Sequence, residues 1–125
     1  HGHEWSSLAS AISAAMSSAG THRVLFMADT NTDMSSSEIF SKLGVPNSAK
    51  FHSTALEPTC CNTYSPGFIF PFDRVIANFG SGMSSQELFD PLPSWATEGN
   101  NEFHKAIVGT LSIGLGSLVA TEASV

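Results

Sequence analysis

Side chains that can move protons or contact phosphate lie at or inside three apolar runs of this sequence. The first run, RVLFMA, is followed directly by Asp29 and Asn31. The second, FPFDRVIAN, carries Asp73 in its middle, and the third, KAIVGTLSI, is preceded by Glu102 and His104. Carboxylates and imidazoles are the usual general acids and bases of enzymes. The pattern therefore indicates a polar site where several core strands meet.

Asp73 is the most informative of these residues, because burying a carboxylate costs several kcal/mol unless it is paired or hydrogen-bonded. Its neighbour Arg74 points to the opposite face if the segment is a strand. A side chain from another strand is a better partner, and His104 qualifies. An aspartate that holds a histidine in one tautomer is a recurring catalytic arrangement. Taken singly, Asp29 and Asn31 also fit an ordinary turn, and His104 fits a surface histidine.

The elements that must position these groups can be predicted from apolar spacing. Residues 4–19 have helical periodicity and stop at Gly20, and a second helix over 36–43 is opened by Ser35 with Glu38 as a capping box. Strands are predicted over 23–28, 51–56, 72–78 and 105–113. Residues 83–101 are predicted as a surface loop with one helical turn at 86–89, and the tail after Gly114 has no assignment. These elements predict one layered α/β domain over residues 1–125.

Composition narrows the function classes. Eleven acidic and five basic residues give a formal charge of −6, which disfavours broad attraction to nucleic acid or anionic membrane. The adjacent pair Cys60-Cys61 fits no zinc-site spacing and favours buried free thiols. No apolar run is long enough to span a bilayer. Because the sequence starts at His1 without methionine, we interpret it as processed, with a lean towards a secreted or extracytoplasmic protein.

Three segments in order, VLFMADTN, PTCCNTYSPGFIFPFDRVIANFG and FHKAIVGTL, resemble the C-terminal half of the endonuclease/exonuclease/phosphatase superfamily, the deoxyribonuclease I-like metal-dependent phosphoesterases. The family's Asp-x-Asn strand end is matched by Asp29-Thr30-Asn31. Its Thr-Cys-Cys segment and Asp-Arg-Val strand are matched by residues 59–61 and 73–75. The family's final Ser-Asp-His is matched only in part, at residues 102–104. The resemblance implies half of a four-layer α/β sandwich, a mostly antiparallel or mixed sheet covered by helices on one face.

The same resemblance implies a phosphoester hydrolase site. In it, Asp73 orients His104, Asn31 holds a phosphate oxygen, and Asp29 handles a proton of the water or leaving group. His1 or His3 stands for the family's first histidine. Apart from the resemblance, the positive charge of Arg74 makes it a candidate substrate contact. A divalent cation, usually Mg²⁺, is expected, with its ligands unassigned. The expected substrate is a phosphodiester; nucleic acid is the first candidate, followed by a phospholipid head group or an inositol phosphate.

Two departures from the family pattern keep alternatives open. Phe103 replaces the acid that normally precedes the last histidine, and the family's N-terminal half is absent from the sequence. The missing half would leave a sheet face uncovered, so we expect a companion chain, a truncated form, or packing against a second copy. One alternative is a binding module of the same fold that has lost its metal chemistry. Another is copper binding through the amino-terminal His1 with His3, His52 or His104.

Overall fold

The computed structural model describes residues 2–47, 50–61, 68–88, 104–114 and 116–122. Two helices precede most of the strands along the chain. Helix α1 spans Gly2–Ala19 and α2 spans Ser36–Lys42. The Ser35 side chain accepts a hydrogen bond from the Glu38 backbone N–H, which caps α2 as the sequence predicts. Within the described residues, neither helix combines the length and apolar character needed to cross a membrane.

The first sheet is antiparallel and has β5 at its centre. Its strands are β1 (Leu25–Asp29), β2 (His52–Ser53) and β5 (Asp73–Ala77), in the order β1-β5-β2. All five residues of β5 are buried, as expected for a central strand. The register pairs Asp29 with Asp73, so these two carboxyl groups lie side by side at one end of the sheet.

A second antiparallel sheet follows later in the chain. It contains β6 (Gly82–Glu87), β7 (Ile107–Ile113) and β8 (Gly116–Glu122), in sequence order. The register pairs Ile107 with Glu122, so the beginning of β7 lies beside the end of β8. A short pair, β3 (Cys60–Cys61) and β4 (Phe68–Phe70), completes the described strands.

Each face of the first sheet is covered by a different part of the chain. On one face, Phe26 and Ile76 pack with the α2 residues Ile39 and Phe40, and Trp5 of α1 joins them. On the other face, a second cluster joins Val75 and Leu25 of the first sheet to residues of the second sheet, namely Met83, Ile107 and Ala120. The described residues therefore form three layers: helices, one sheet and a second sheet.

Gly109 in β7 lies close to residues of the first sheet. A Cβ atom at this position would lie 2.9 Å from Met83 Sδ, 3.1 Å from Thr54 Cγ2 and 3.2 Å from Val75 Cβ. A side chain here would therefore push the sheets apart.

The structure corrects the sequence predictions in two places. Strand β6 (Gly82–Glu87) replaces the start of the loop predicted from residue 83 and its helical turn, and part of the unassigned tail forms β8. Consequently the sheet face that we expected to be uncovered is occupied by the chain's own second sheet. The mixed α/β class is as predicted, whereas the half of a four-layer sandwich stays a prediction. The argument for a companion chain or second copy from an uncovered face no longer holds.

Candidate active site

Four polar side chains come together at one end of the space between the two sheets. Asp29 ends β1, Asp73 begins β5, His104 lies shortly before β7, and Glu122 ends β8. These residues are far apart in sequence, and they meet because antiparallel pairing brings the end of one strand to the beginning of the next. Ligand atoms of Asp29, Asp73 and His104 all lie within 4.8 Å of one another.

The Asp73–His104 contact is the best-defined polar contact of the cluster. His104 Nδ1 lies 2.7 Å from Asp73 Oδ2, and the Asp73 side chain is fully buried. A carboxylate oxygen at this distance assigns a proton to Nδ1, which donates the hydrogen bond. In the neutral imidazole the lone pair is then on Nε2, so His104 presents a base on its far side.

Thr59 forms two further hydrogen bonds with Asp73. Its hydroxyl donates to Asp73 Oδ2 over 2.6 Å and accepts from the Asp73 backbone N–H over 3.1 Å. Thr59 is itself fully buried. The Asp73 carboxylate is therefore held in one orientation before any substrate arrives, which in turn orients the imidazole.

The Nε2 atom of His104 lies between Asp29 and Cys60. It is 3.7 Å from Asp29 Oδ2 and 3.4 Å from Cys60 Sγ. The Asp29 side chain is 26% exposed and the His104 side chain 15% exposed, so this part of the cluster is nearer to solvent than Asp73. Cys60 is disulfide-bonded, and the prediction of free thiols is therefore wrong. Because a disulfide sulfur carries no hydrogen, it cannot donate to Nε2.

Glu122 adds a second buried carboxyl group to the cluster. Burial raises its pKa to about 8, with further contributions from the charge of Asp73, a side-chain hydrogen bond with Asp73 and the charge of Asp29. One oxygen of each buried carboxyl group, Asp73 Oδ1 and Glu122 Oε2, has no hydrogen-bond partner. Burial and the neighbouring acidic groups therefore favour the protonated form of Glu122.

Asn31 is exposed and lies two residues after Asp29, just beyond the end of β1. Its backbone has a φ of +49°, in the left-handed region that asparagine tolerates, and its N–H donates to Asp29 Oδ1 over 3.1 Å. Asp29 and Asn31 both line a groove of about 520 Å³ on the α1 side. Trp5, Leu8 and Phe26 form part of its apolar wall. His104 is not among its lining residues, so the groove adjoins the cluster instead of enclosing it.

Arg74 does not take the predicted substrate-binding role. Its side chain lies on the helix face of the first sheet, fully buried, and donates to the backbone carbonyls of Pro71, Thr32 and Met34. Burial lowers its pKa, an effect opposed by the charge of Asp33. As neighbours in β5, Asp73 and Arg74 point to opposite faces, so the guanidinium group is directed away from the cluster.

Several predicted positions lie outside the described residues. These are His1, the side chain of His3, and the segment that contains Glu102 and Phe103. Of the other histidines proposed for copper, His52 Nε2 contacts Gly80 O at 3.0 Å, at the far end of the first sheet, and His104 contacts Asp73. The described residues thus give the copper hypothesis no support.

The donor set fits a divalent cation. Carboxylate oxygens are preferred by Mg²⁺ and Mn²⁺, and the unpartnered oxygen of Asp73 is a buried acceptor that a cation would satisfy. Asp73 can offer Oδ1 to a cation while Oδ2 holds His104. The same cluster without a cation carries more acidic than basic groups.

Sequence reasoning missed Glu122, Thr59 and the contact of Cys60 with His104. A signal for Glu122 was present in the pattern of the tail: Gly114 separates two β-prone segments, and Leu118, Ala120 and Glu122 alternate along the second. Read as a hairpin, this pattern places Glu122 beside the start of β7. No comparable signal links Thr59 to Asp73, because that contact depends on the path of a loop.

Comparisons with protein-family models, with curated proteins and with solved structures returned no match to this chain. The functional argument therefore depends on the motifs and on the geometry of the cluster.

Proposed function

We propose that this chain acts as a metal-dependent phosphoester hydrolase, with His104 as its general base, Asp73 as the residue that orients His104, and Asp29 and Asn31 beside them. The observation that carries this proposal is the 2.7 Å contact between His104 Nδ1 and Asp73 Oδ2, which leaves Nε2 as a base facing Asp29. An oriented imidazole next to a partly exposed carboxylate at a strand end is an arrangement suited to activating water.

In the proposed reaction, His104 Nε2 takes a proton from a water molecule while the water oxygen bonds to phosphorus. The bond between phosphorus and the leaving oxygen breaks, and the leaving oxygen takes up a proton. Asp73 does not change its protonation state; it holds the imidazole and stabilises the imidazolium ion that forms. Asp29 lies close enough to Nε2 to orient the water or to handle the leaving-group proton.

Asn31 is the proposed contact for a phosphate oxygen. Its amide is exposed beside Asp29, and an amide N–H can bind a phosphate oxygen without adding charge. A bound divalent cation, held by Asp29 and Asp73, would supply charge neutralisation at the phosphoryl group. Phosphodiesters remain the proposed substrate class, with nucleic acid as the first candidate.

The binding module is the second candidate function. It is favoured by the apolar groove, because Trp5, Leu8 and Phe26 can hold an apolar or aromatic ligand without any chemistry. A binding module needs no Asp73–His104 contact, however, and the presence of that contact favours the hydrolase.

The test is hydrolysis of bis(p-nitrophenyl) phosphate by the whole chain with Mg²⁺ or Mn²⁺. We expect turnover that chelation with EDTA removes and that His104→Ala lowers about 10²- to 10⁴-fold. His22→Ala is the matched control, because His22 is exposed and precedes β1 at the end remote from Asp29. Absence of turnover with either cation, or equal loss in both variants, would contradict the proposal and leave the binding module.

A further inference from the structure

The groove on the α1 side of the first sheet is continuous with the polar cluster that contains Asp29. Asp29 and Asn31 line one part of the groove, and its apolar part is lined by Trp5, Leu8 and Phe26. Its volume of about 520 Å³ is in the range of sites for small organic molecules, about 300–1,000 Å³. A ligand in this groove therefore lies directly beside the residues proposed to handle the phosphoryl group.

The apolar part of the groove has aromatic rings in fixed positions. Phe26 packs edge-to-face against Phe40, with ring centroids 6.5 Å apart and an interplanar angle of 76°. Trp5 packs against the same core cluster but is only partly buried. Leu8, three residues further along α1, is 37% exposed. Partly exposed apolar side chains that line a concave groove are typical of a ligand site.

The polar part of the groove is formed by the segment after β1, which hydrogen bonds hold in place. The Thr30 hydroxyl donates to Phe72 O over 2.9 Å. The Arg74 guanidinium group donates to Thr32 O over 2.8 Å and also to Met34 O. Thr30, Thr32 and Met34 all line the groove. Because this part is already ordered, a ligand loses less free energy to ordering the site when it binds.

The charged side chains of the groove favour an anionic ligand with polar edges. Lys42, the last residue of α2, lines the groove and forms no ion pair with another described residue. Glu4, from the first turn of α1, lines the same groove. An acyl chain would cover these polar groups without hydrogen-bonding to them, which is unfavourable. A nucleotide has a flat apolar ring face, polar ring edges and a phosphate charge that Lys42 complements.

We infer that this groove is the subsite for a nucleobase of the phosphodiester substrate, with the base stacked against Trp5 and the phosphoryl group beside Asp29 and Asn31. This inference rests on the proposed function, because the hydrolase site defines where the phosphoryl group lies. Stacking on an aromatic side chain accepts any base, since every base has a π face. The groove thus selects phosphodiesters that carry a base next to the scissile phosphate over simple alkyl phosphodiesters.

The test compares two ligands that differ in the base, 2′-deoxyadenosine 5′-monophosphate and 2-deoxyribose 5-phosphate, by calorimetry on the whole chain with Mg²⁺. Both are monoesters, which are products and not substrates of the proposed reaction. We expect the nucleotide to bind about 5- to 150-fold more tightly, which is the gain from one stacked base. Trp5→Leu keeps an apolar side chain but removes the ring, and it should abolish this gain. Trp5→Phe keeps a ring and should retain most of the gain.

A second pair of variants covers the case in which the Trp5 variants do not fold, which far-ultraviolet circular dichroism detects. Leu8→Ala then replaces them, and it should reduce the affinity for the nucleotide more than the affinity for the sugar phosphate. Leu118→Ala is the matched control, because Leu118 has the same 37% exposure and belongs to β8 of the second sheet. It should bind both ligands as the wild type does.

Hydrolysis of bis(p-nitrophenyl) phosphate by the same samples separates this inference from the proposed function. A base-dependent gain that Trp5→Leu removes, without hydrolysis, supports the base site and contradicts the hydrolase. Hydrolysis with equal affinity for the two ligands overturns the base site and leaves the hydrolase in place. A gain that persists in Trp5→Leu, or that Trp5→Phe loses to the same extent, overturns the stacking on Trp5.

Discussion

Asp73 and Arg74 are adjacent in strand β5, both are buried, and they differ in how their charges are satisfied. The Arg74 guanidinium group donates to three backbone carbonyls on the helix face. The Asp73 carboxylate has two donors on Oδ2, from Thr59 and His104, and none on Oδ1. A fully partnered buried charge holds structure together, whereas a partly satisfied one at a cluster of acids and a histidine is typical of a functional site.

The largest expected difference between the two residues is in activity. Asp73→Asn should lower kcat for phosphodiester hydrolysis about 10²- to 10⁴-fold, because an amide no longer stabilises the imidazolium ion or secures its tautomer. Its fold should persist, since asparagine can still accept from Thr59. Steady-state kinetics and far-ultraviolet circular dichroism measure both effects. Asp33→Asn, at an exposed position, is the control, and equal losses in the two variants would contradict the comparison.

Arg74→Ala should instead act on stability. Removing the guanidinium group leaves the carbonyls of Thr32, Met34 and Pro71 buried without donors, which we expect to lower the free energy of unfolding by about 3 kcal/mol or more. Urea denaturation measures the loss. Arg23→Ala is the matched control: Arg23 is exposed above the Phe79 ring at 5.6 Å, and its loss should cost less than about 1 kcal/mol. Similar values for both arginines would show that the buried contacts of Arg74 contribute little.

The pH dependence of the free energy of unfolding should reveal the raised pKa of Glu122. Its pKa is raised from its usual 4.5 to about 8 in the folded chain, mainly by burial and then by Asp73 and Asp29. The folded state therefore holds a proton that the unfolded state has lost, and the free energy of unfolding decreases as pH rises between these two values. With EDTA present, we expect the free energy of unfolding of the wild type to fall relative to that of Glu122→Gln as pH rises over this interval. A constant difference from pH 4.5 to pH 8 would contradict the burial of Glu122 beside Asp73.

The smallest expected effect is a loss of stability in Gly109→Ala, which tests whether the second sheet packs closely against the first. Gly109→Ala places a Cβ atom 2.9 Å from Met83 Sδ and 3.2 Å from Val75 Cβ, so we expect a loss of about 1–3 kcal/mol. Gly82→Ala, in the neighbouring strand β6 with no atom near the added Cβ, is the matched control and should be close to neutral. Thermal unfolding compares them. An unchanged melting temperature in Gly109→Ala would mean that the sheets do not approach closely at this point.

The apolar patterns predicted much of the fold. The long helix, the buried strands β1 and β5 and the Ser35 cap follow from periodicity and local capping chemistry, which act over a few residues. Strand β6 was missed because Ser84, Ser85 and Gln86 have neither strong alternation nor high strand propensity. Its position is determined by pairing with β7, whose residues lie 20 to 30 positions further along the chain, and local sequence patterns do not contain such contacts.

Part of the candidate site could also be predicted from the sequence. Asp73 was noticed because a carboxylate inside an apolar run needs a partner, and its contact with His104 follows from strand ends that meet. The role of Arg74 was predicted wrongly: its charge suggested a phosphate contact, but the alternation of β5 turns the side chain to the helix face. Glu122 was missed because its role depends on a hairpin that only the tertiary structure brings to Asp73.

The most direct test of the account is a double-mutant cycle on Asp73 and His104, measured as kcat for phosphodiester hydrolysis with Mn²⁺. If Asp73 acts through the imidazole, Asp73→Asn should have almost no further effect in the His104→Ala background, and the double variant should match His104→Ala within about threefold. If the two losses multiply instead, Asp73 and His104 act independently, and the claim that this buried carboxylate holds the catalytic base is contradicted.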